Sequence, residues 1–210
     1  MYNLFMNKPE LLLTGPAFLR TDDDGITRLY ETIESYTGKM NTMAHNIATS
    51  AMKGEISRPT KVLTIPRGGL APSEFVARTL GLTAEHVVSF GARSYTGEAR
   101  RGSLVMGQMP PREQVEDQII IIPEDVADTG ETLDAVENIL WGLGAKEVLT
   151  AAVYWKRQSE EPDFYVEATD EPDRWVVFPT TPNDEYSDFF KAQMELPVNQ
   201  RMINQATILG

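Results

Sequence analysis

The stretch Ile119-Ile120-Ile121-Ile122-Pro123-Glu124-Asp125-Val126-Ala127-Asp128-Thr129-Gly130-Glu131-Thr132-Leu133 carries the reading of the whole chain. A run of β-branched apolar residues predicts a short strand buried on both faces, as in a parallel sheet. Two carboxylates follow it, and Pro123 fits only at the strand's end, because proline lacks the amide a central strand needs. After Asp128-Thr129-Gly130-Glu131-Thr132, the spacing of Leu133, Val136, Ile139, Leu140 and Leu143 is helical. The segment therefore reads as strand, acidic turn, small-residue loop, helix start. In open α/β sheets ligands gather at the carboxyl ends of strands, and free amides at a helix start attract phosphate. Thr129 and Thr132 add hydroxyls and Gly130 allows close backbone approach. Glu124 and Asp125 can accept hydrogen bonds from sugar hydroxyls or hold a hydrated divalent cation. The plainer alternative is an ordinary strand-to-helix loop with Asp128 or Thr129 as a cap.

Working outward, Lys61 to Ile65 predicts a second strand, ending in Pro66-Arg67-Gly68-Gly69-Leu70, with a helix over Ala71 to Leu80. Glycines at such a turn let amides face a ligand, and Arg67 can present a bidentate charge to phosphate. His86 to Tyr95 predicts a third strand. Residues 96–117, rich in glycine and proline and flanked or studded by Arg93, Arg100, Arg101 and Arg112, read as a basic lid loop or a solvated insertion. Val148 to Tyr154 predicts a fourth strand with Lys156 at its carboxyl end. Asp163 to Glu167 and Arg174 to Pro179 predict two short strands of a small flap. Upstream, Leu29, Ile33, Tyr36, Met40, Met43, Ile47 and Ala51 predict one long amphipathic helix ending near Gly54, its methionines packing in the core. Thr21 to Gly25 reads as a turn or a helix lead-in.

Bulk properties bound the function. A chain of 210 residues with 41% hydrophobic content supports one domain, or one with a small appendage. The absence of cysteine excludes disulfides, thiolate metal sites and cysteine nucleophiles. Only His45 and His86 are available for imidazole chemistry, too few for a histidine metal cluster. A formal net charge of -12 disfavours non-specific binding to nucleic acid or an anionic membrane. No apolar run approaches the ~20 residues that span a bilayer, and Glu10 and Pro16 interrupt the nearest approach to a signal core. A cytoplasmic protein is the expectation.

The aliphatic quartet, Glu-Asp and Asp-Thr-Gly-x-Thr together resemble the phosphoribosyl-pyrophosphate (PRPP) motif of the type I phosphoribosyltransferases. Arg67-Gly68-Gly69 resembles the pyrophosphate loop of the xanthine–guanine and hypoxanthine–guanine members, in which the peptide before the arginine can be strained or cis. Ser94-Tyr95 resembles the opening of that family's catalytic loop, and Trp175-Val176-Val177-Phe178-Pro179 its base-capping segment. Departures are Glu131, where glycine or lysine is common, and Thr180-Thr181-Pro182, where an aromatic and an acid usually follow.

The resemblance implies a mainly parallel central sheet flanked by helices, with a small flap or hood and a long flexible lid loop. Residues 1–28 would be an N-terminal extension and 29–182 the phosphoribosyltransferase domain, with the lid near 96–117 and the flap near 157–182. Residues 183–210 would be a C-terminal peripheral segment. It implies Mg²⁺-dependent transfer of 5-phosphoribose from PRPP to a 6-oxopurine by a homodimer or higher oligomer. Asp128 would handle the proton at N7 of the base. Asp128, Thr129, Gly130, Glu131 and Thr132 would hold the 5′-phosphate. Glu124 and Asp125 would bind the ribose hydroxyls, directly or through the metal. Arg67, Gly68, Ser94 and Tyr95 would serve the pyrophosphate; Lys156, Trp175 and Val176 the purine. Three rivals stand beside this: a phosphoribosyltransferase for another base, a PRPP- or nucleotide-sensing regulator of the same fold, and an unrelated phosphate-binding α/β protein.

Overall fold

The computed structural model describes residues 15–21, 25–97, 100–107 and 109–179, and for 92–106 the backbone only. In chain order the strands are β1 (Phe18–Thr21), β2 (Thr27–Tyr30), β3 (Lys61–Thr64), β4 (Val87–Ser89), β5 (Ala92–Gly97), β6 (Arg100–Met106), β7 (Ile119–Ala127), β8 (Glu147–Lys156), β9 (Phe164–Thr169) and β10 (Val176–Val177). The helices are α1 (Ile33–Lys53), α2 (Leu70–Leu80) and α3 (Glu131–Gly142). Five strands form the central sheet in the order β4-β3-β7-β8-β9, every pair parallel. Parallel neighbours need crossovers; α2 supplies that from β3 to β4 and α3 that from β7 to β8, whereas residues 157–163 join β8 to β9 without a helix.

Alternation along β7 explains why its isoleucines all face protein. Ile121 packs with Tyr36, Met40, Met43, Ile47 and Val76 from α1 and α2. Ile120 and Ile122 pack on the other face with Leu133, Val136 and Leu140 from α3. The sheet is thus covered on both sides, as an all-parallel sheet requires. α1 begins at Thr32, whose hydroxyl accepts from the Ser35 amide at 3.0 Å, and ends at Gly54 with φ of 73°. Met40 and Met43 are core, as expected, whereas Met52 near the end of the helix is exposed.

Several boundaries differ from the sequence expectation. Leu29 is not in α1; it lies in β2 and pairs with Leu19 and Val176. β7 runs through Pro123 to Ala127 instead of stopping at the proline. The Pro123 carbonyl faces Gly69, and a residue's carbonyl and amide share one side of an extended strand. The missing amide therefore lies on the β3 side, where the ladder has already ended at Ile121. The β8 ladder continues undisturbed from Ile122 opposite Thr150 to Glu124 opposite Ala152.

The expected third strand is divided between β4 and the first residues of β5, and part of the expected lid is an antiparallel ribbon of β5 with β6 whose register shifts between Ser94 and Thr96. The two expected flap strands do not pair with each other. β9 is the edge of the central sheet. β10 joins β2, and with β1 they make a separate three-stranded sheet. β1 and β2 accordingly share a sheet with β10. The Asp22-Asp23-Asp24 portion of the expected turn, Thr180-Thr181-Pro182 and the segment 183–210 lie outside the described residues.

Ile121 belongs to the core cluster shared with α1 and α2 and has no exposure. Ile121→Ala is expected to cost about 2–5 kcal/mol, measured as a lower urea midpoint with an unchanged m-value.

Candidate functional site

The ends of β3, β7 and β8 converge on the site, and the segment before β10 reaches it through Pro172. At the carboxyl end of β3 the Pro66–Arg67 peptide bond is cis, as the resemblance implied. The turn then brings Gly68 and Gly69 against the acids of β7. A Cβ at Gly68 would stand 2.6 Å from Asp125 Oδ1, and one at Gly69 2.8 Å from the Pro123 carbonyl oxygen and 3.2 Å from Glu124 Oε1. At Gly69, which faces backbone carbonyls, glycine is a steric requirement; at Gly68 a Cβ would displace the Asp125 carboxylate. Arg67 is exposed beside this turn.

Glu124 is buried, and its Oε1 is shut from solvent without a hydrogen-bond partner. Asp125 is half-buried and its Oδ1 accepts from the Val126 amide at 2.7 Å. Burial first, then the neighbouring Asp125 charge, pushes the Glu124 carboxyl well above its ordinary range. Burial raises Asp125 from 3.8 to about 6. An orphaned carboxylate oxygen beside a second costly carboxylate is suited to a cation or to hydroxyl donors. Among the described residues no group of three metal-ligating side chains occurs. Mg²⁺ commonly takes only one or two carboxylates plus water and substrate phosphate, so the pair fits that ion.

Past β7, Asp128, Thr129 and Gly130 form the loop into α3. Gly130, with φ of 82°, is the residue before the helix, and no side chain caps its amides. An uncapped helix start beside half-buried Thr129 and Thr132 leaves donors for an anion. Glu131 is exposed in the first helical turn. It is favourable to the helix dipole but of the same sign as a phosphate.

The register of β7 on β8, Ala127 opposite Trp155, puts the next residues of each strand side by side. Lys156 Nζ lies 3.0 Å from Asp128 Oδ1, and Lys156 is only 5% exposed. The same ammonium donates to the Pro172 carbonyl at 3.0 Å. Two of its three protons are thus committed, leaving one for a ligand. Gln158 Nε2 also donates to Asp128 Oδ1, at 2.8 Å. Ser159 Oγ hydrogen-bonds the Lys156 carbonyl at 3.0 Å, and the Ser159 side chain packs on Gly130. The turn after β8 is therefore buttressed on the loop after β7.

Trp175 is 61% exposed, while its carbonyl accepts from the Leu29 amide at 2.9 Å. Val176 pairs with Leu29 in the hood. The structure brings Glu124, Asp125, Gly68, Asp128, Gly130 and Lys156 into one neighbourhood, and Pro172, next to the hood strand, joins it through Lys156. Ser94 and Tyr95 lie in β5, with their side chains outside the described residues. Arg112, read as a lid cation, is paired with Glu116 at 2.7 Å. Sequence reasoning missed the Pro172 carbonyl and Gln158. A carbonyl leaves no residue-type signal, and Gln158 is marked only by its place two residues past Lys156.

These strand-end groups stand on a fold that comparison with known families identifies. The model of the phosphoribosyl transferase domain matches residues 35–187, and the chain belongs to that family. Among curated proteins it is 30% identical over 123 residues to the xanthine-guanine phosphoribosyltransferase of Ruegeria sp. (strain TM1040), a match spanning 56% of this chain and 66% of that relative, just under two thirds. Among solved structures it resembles the purine phosphoribosyltransferase from Pyrococcus horikoshii, with a TM-score of 0.55 and 25% identity over 72% of this chain and 93% of that one. It shares its fold with the Helicobacter pylori xanthine-guanine-hypoxanthine phosphoribosyltransferase, at a TM-score of 0.58 and 17% identity over 79% and 98% of the two chains.

The raised acid pair has a measurable cost. An acid whose folded pKa exceeds its unfolded one binds more protons when folded, so stability falls as pH rises between the two values. For Asp125 that window runs from 3.8 to about 6. In ligand-free protein with chelator present, Asp125→Asn is expected to be more stable than the parent at pH 8, by up to about 3 kcal/mol. The difference should shrink toward zero by pH 4. Urea unfolding at the two pH values measures it.

Proposed function

We propose that the protein is a purine phosphoribosyltransferase that moves 5-phosphoribose from PRPP to a 6-oxopurine (guanine, hypoxanthine or xanthine), releasing pyrophosphate and a nucleoside monophosphate. The observation that carries this reading is the 3.0 Å contact between Lys156 and Asp128 at the ends of adjacent parallel strands. It joins a cation suited to a purine carbonyl to a carboxylate suited to a ring nitrogen, beside an uncapped helix start. The xanthine-guanine and purine enzymes named among the relatives support the same substrate class.

In the reaction the bond from ribose carbon 1 to the pyrophosphate oxygen breaks and a bond from carbon 1 to N9 of the base forms. No covalent intermediate with the protein is required. Carbon 1 gains positive charge and the leaving group negative charge, so catalysis is alignment and electrostatic neutralisation. Asp128 holds or receives the proton at N7 as N9 attacks. Lys156 offers its remaining proton to the 6-oxygen. Thr129, Gly130, Thr132 and the α3 amides hold the 5′-phosphate. Arg67 and the Gly68 amide meet the pyrophosphate, with Ser94 and Tyr95 on its lid side. Glu124 and Asp125 hold the ribose hydroxyls, and the same pair would hold Mg²⁺, directly or through water, an ion that would supply charge neutralisation to the departing pyrophosphate. Trp175 and the Val176 backbone cover the base. A homodimer or higher oligomer acting in the cytoplasm completes the reading; no described helix is long and apolar enough to cross a membrane.

The decisive assay is pyrophosphate release with Mg-PRPP and each of guanine, hypoxanthine, xanthine, adenine, uracil and orotate. Release with the first three alone is expected. PRPP binding without release for any base would mark a sensor instead. Among variants, Asp128→Asn is expected to lower kcat by ~10²-fold or more, the range for a lost acid–base group, with PRPP affinity nearly kept. Lys156→Ala should act chiefly on KM for the base, and an unchanged base KM would remove the purine assignment.

A further inference from the structure

Beneath the base-binding residues lies a buried polar cluster that the reaction as described does not use. Glu31, the residue after β2, has no exposure. Its Oε1 accepts from the Tyr154 hydroxyl and from Lys39 Nζ, the latter at 2.5 Å. Its Oε2 is buried with no hydrogen-bond partner. Lys39, from α1, lies 3.0 Å from Glu167 Oε1 and 4.7 Å from the centre of the Tyr154 ring. Burial, then the Glu31 carboxylate, holds the Tyr154 hydroxyl far above its ordinary range, so it stays a proton donor.

A buried ion pair with an unsatisfied oxygen is a poor way to gain stability, because desolvation offsets the attraction. Its location is more telling. The Glu31 amide donates to the Val177 carbonyl at 2.9 Å, extending the contact of β2 with β10. Tyr154 stands two residues before Lys156 on β8, and its ring packs edge-on against Phe178 at 6.0 Å. Phe178 follows the hood strand and also meets Tyr36 at 5.0 Å. The cluster therefore ties together the hood that carries Trp175 and Val176, the strand that carries Lys156, and α1 between them.

We propose that Glu31, Lys39 and Tyr154 form a positioning clamp that sets the distance between the hood and the base lysine, and so tunes affinity for the purine without touching it. The inference rests on the purine reading above. It assigns base affinity to residues outside the ligand's reach, and leaves the phosphate loop and the acid pair independent of them.

The test separates base from PRPP. Tyr154→Phe keeps the ring on Phe178 and removes one oxygen; Glu31→Gln keeps shape and removes charge; Lys39→Arg keeps charge. GMP binding by calorimetry, KM for guanine and for PRPP, and melting temperature are measured for each. Tyr154→Phe and Glu31→Gln are expected to weaken GMP binding and raise the guanine KM by about fivefold or more, the size of one net hydrogen bond, with the PRPP KM within about twofold of the parent. Lys39→Arg should stay near the parent in both. If Glu31→Gln does not fold, Tyr154→Phe alone decides. The clamp is overturned if Tyr154→Phe leaves GMP binding and the guanine KM unchanged, or if both KM values rise together, whatever the melting temperature does. A parent protein that binds neither GMP nor guanine would overturn the purine reading itself and the clamp with it.

Discussion

The parallel register of β7 on β8, Ile119 opposite Glu147 through Ala127 opposite Trp155, sets where each candidate ligand group stands. Side chains on a strand alternate, so a slip of one residue would carry Lys156 to the other face and away from Asp128. The register is enforced by burial on both faces. Ile120 and Ile122 must meet α3, while Ile121, Leu149 and Ala151 must meet α1 and α2. Hydrophobic packing thus fixes a polar contact that has little stabilising value of its own.

A second consequence of the same sheet is a local change of phase. Asp125 has no ladder partner opposite Val153, although pairing resumes in register at Val126 and Tyr154. Val153 and Tyr154 both pack on the α1 side, and Trp155 packs on the α3 side. Strict alternation from Ala151 and Val153 would have put Trp155 with them and Lys156 opposite. The shift instead leaves Lys156 on the side of Tyr154 and the hood. It also coincides with the acids, which both border the Gly68–Gly69 turn. Irregularities of this kind recur beside functional sites because they re-aim side chains.

The charges at the site differ in what holds them. Asp128 is exposed enough to be solvated and is partnered by Lys156 and Gln158. Glu124 and Asp125 are raised by burial and lack a cationic partner among the contacts described. One carboxylate is therefore partnered within the protein by Lys156 and Gln158, and the other two are not.

Local pattern was enough for the central architecture and the main acidic motif. Four adjacent isoleucines signalled a strand buried on both faces, and the 3.6-residue spacing after Gly130 a helix on that sheet. Glu124 and Asp125, expected past that strand, lie within its last residues, whereas Asp128 was legible as a strand-end group. The same holds for Gly68 and Gly69, whose lack of a side chain signalled close approach. Tertiary structure alone decided the hood, because β10 pairs with β2 from residues about 150 positions earlier in the chain, and no periodicity encodes so distant a partner. It alone decided that Pro123 sits inside a strand, that Lys156 faces Asp128, and that Glu31 meets Tyr154. Each depends on which edge of a strand is paired or on where the alternation changes phase, and both are properties of neighbouring strands rather than of the residues themselves.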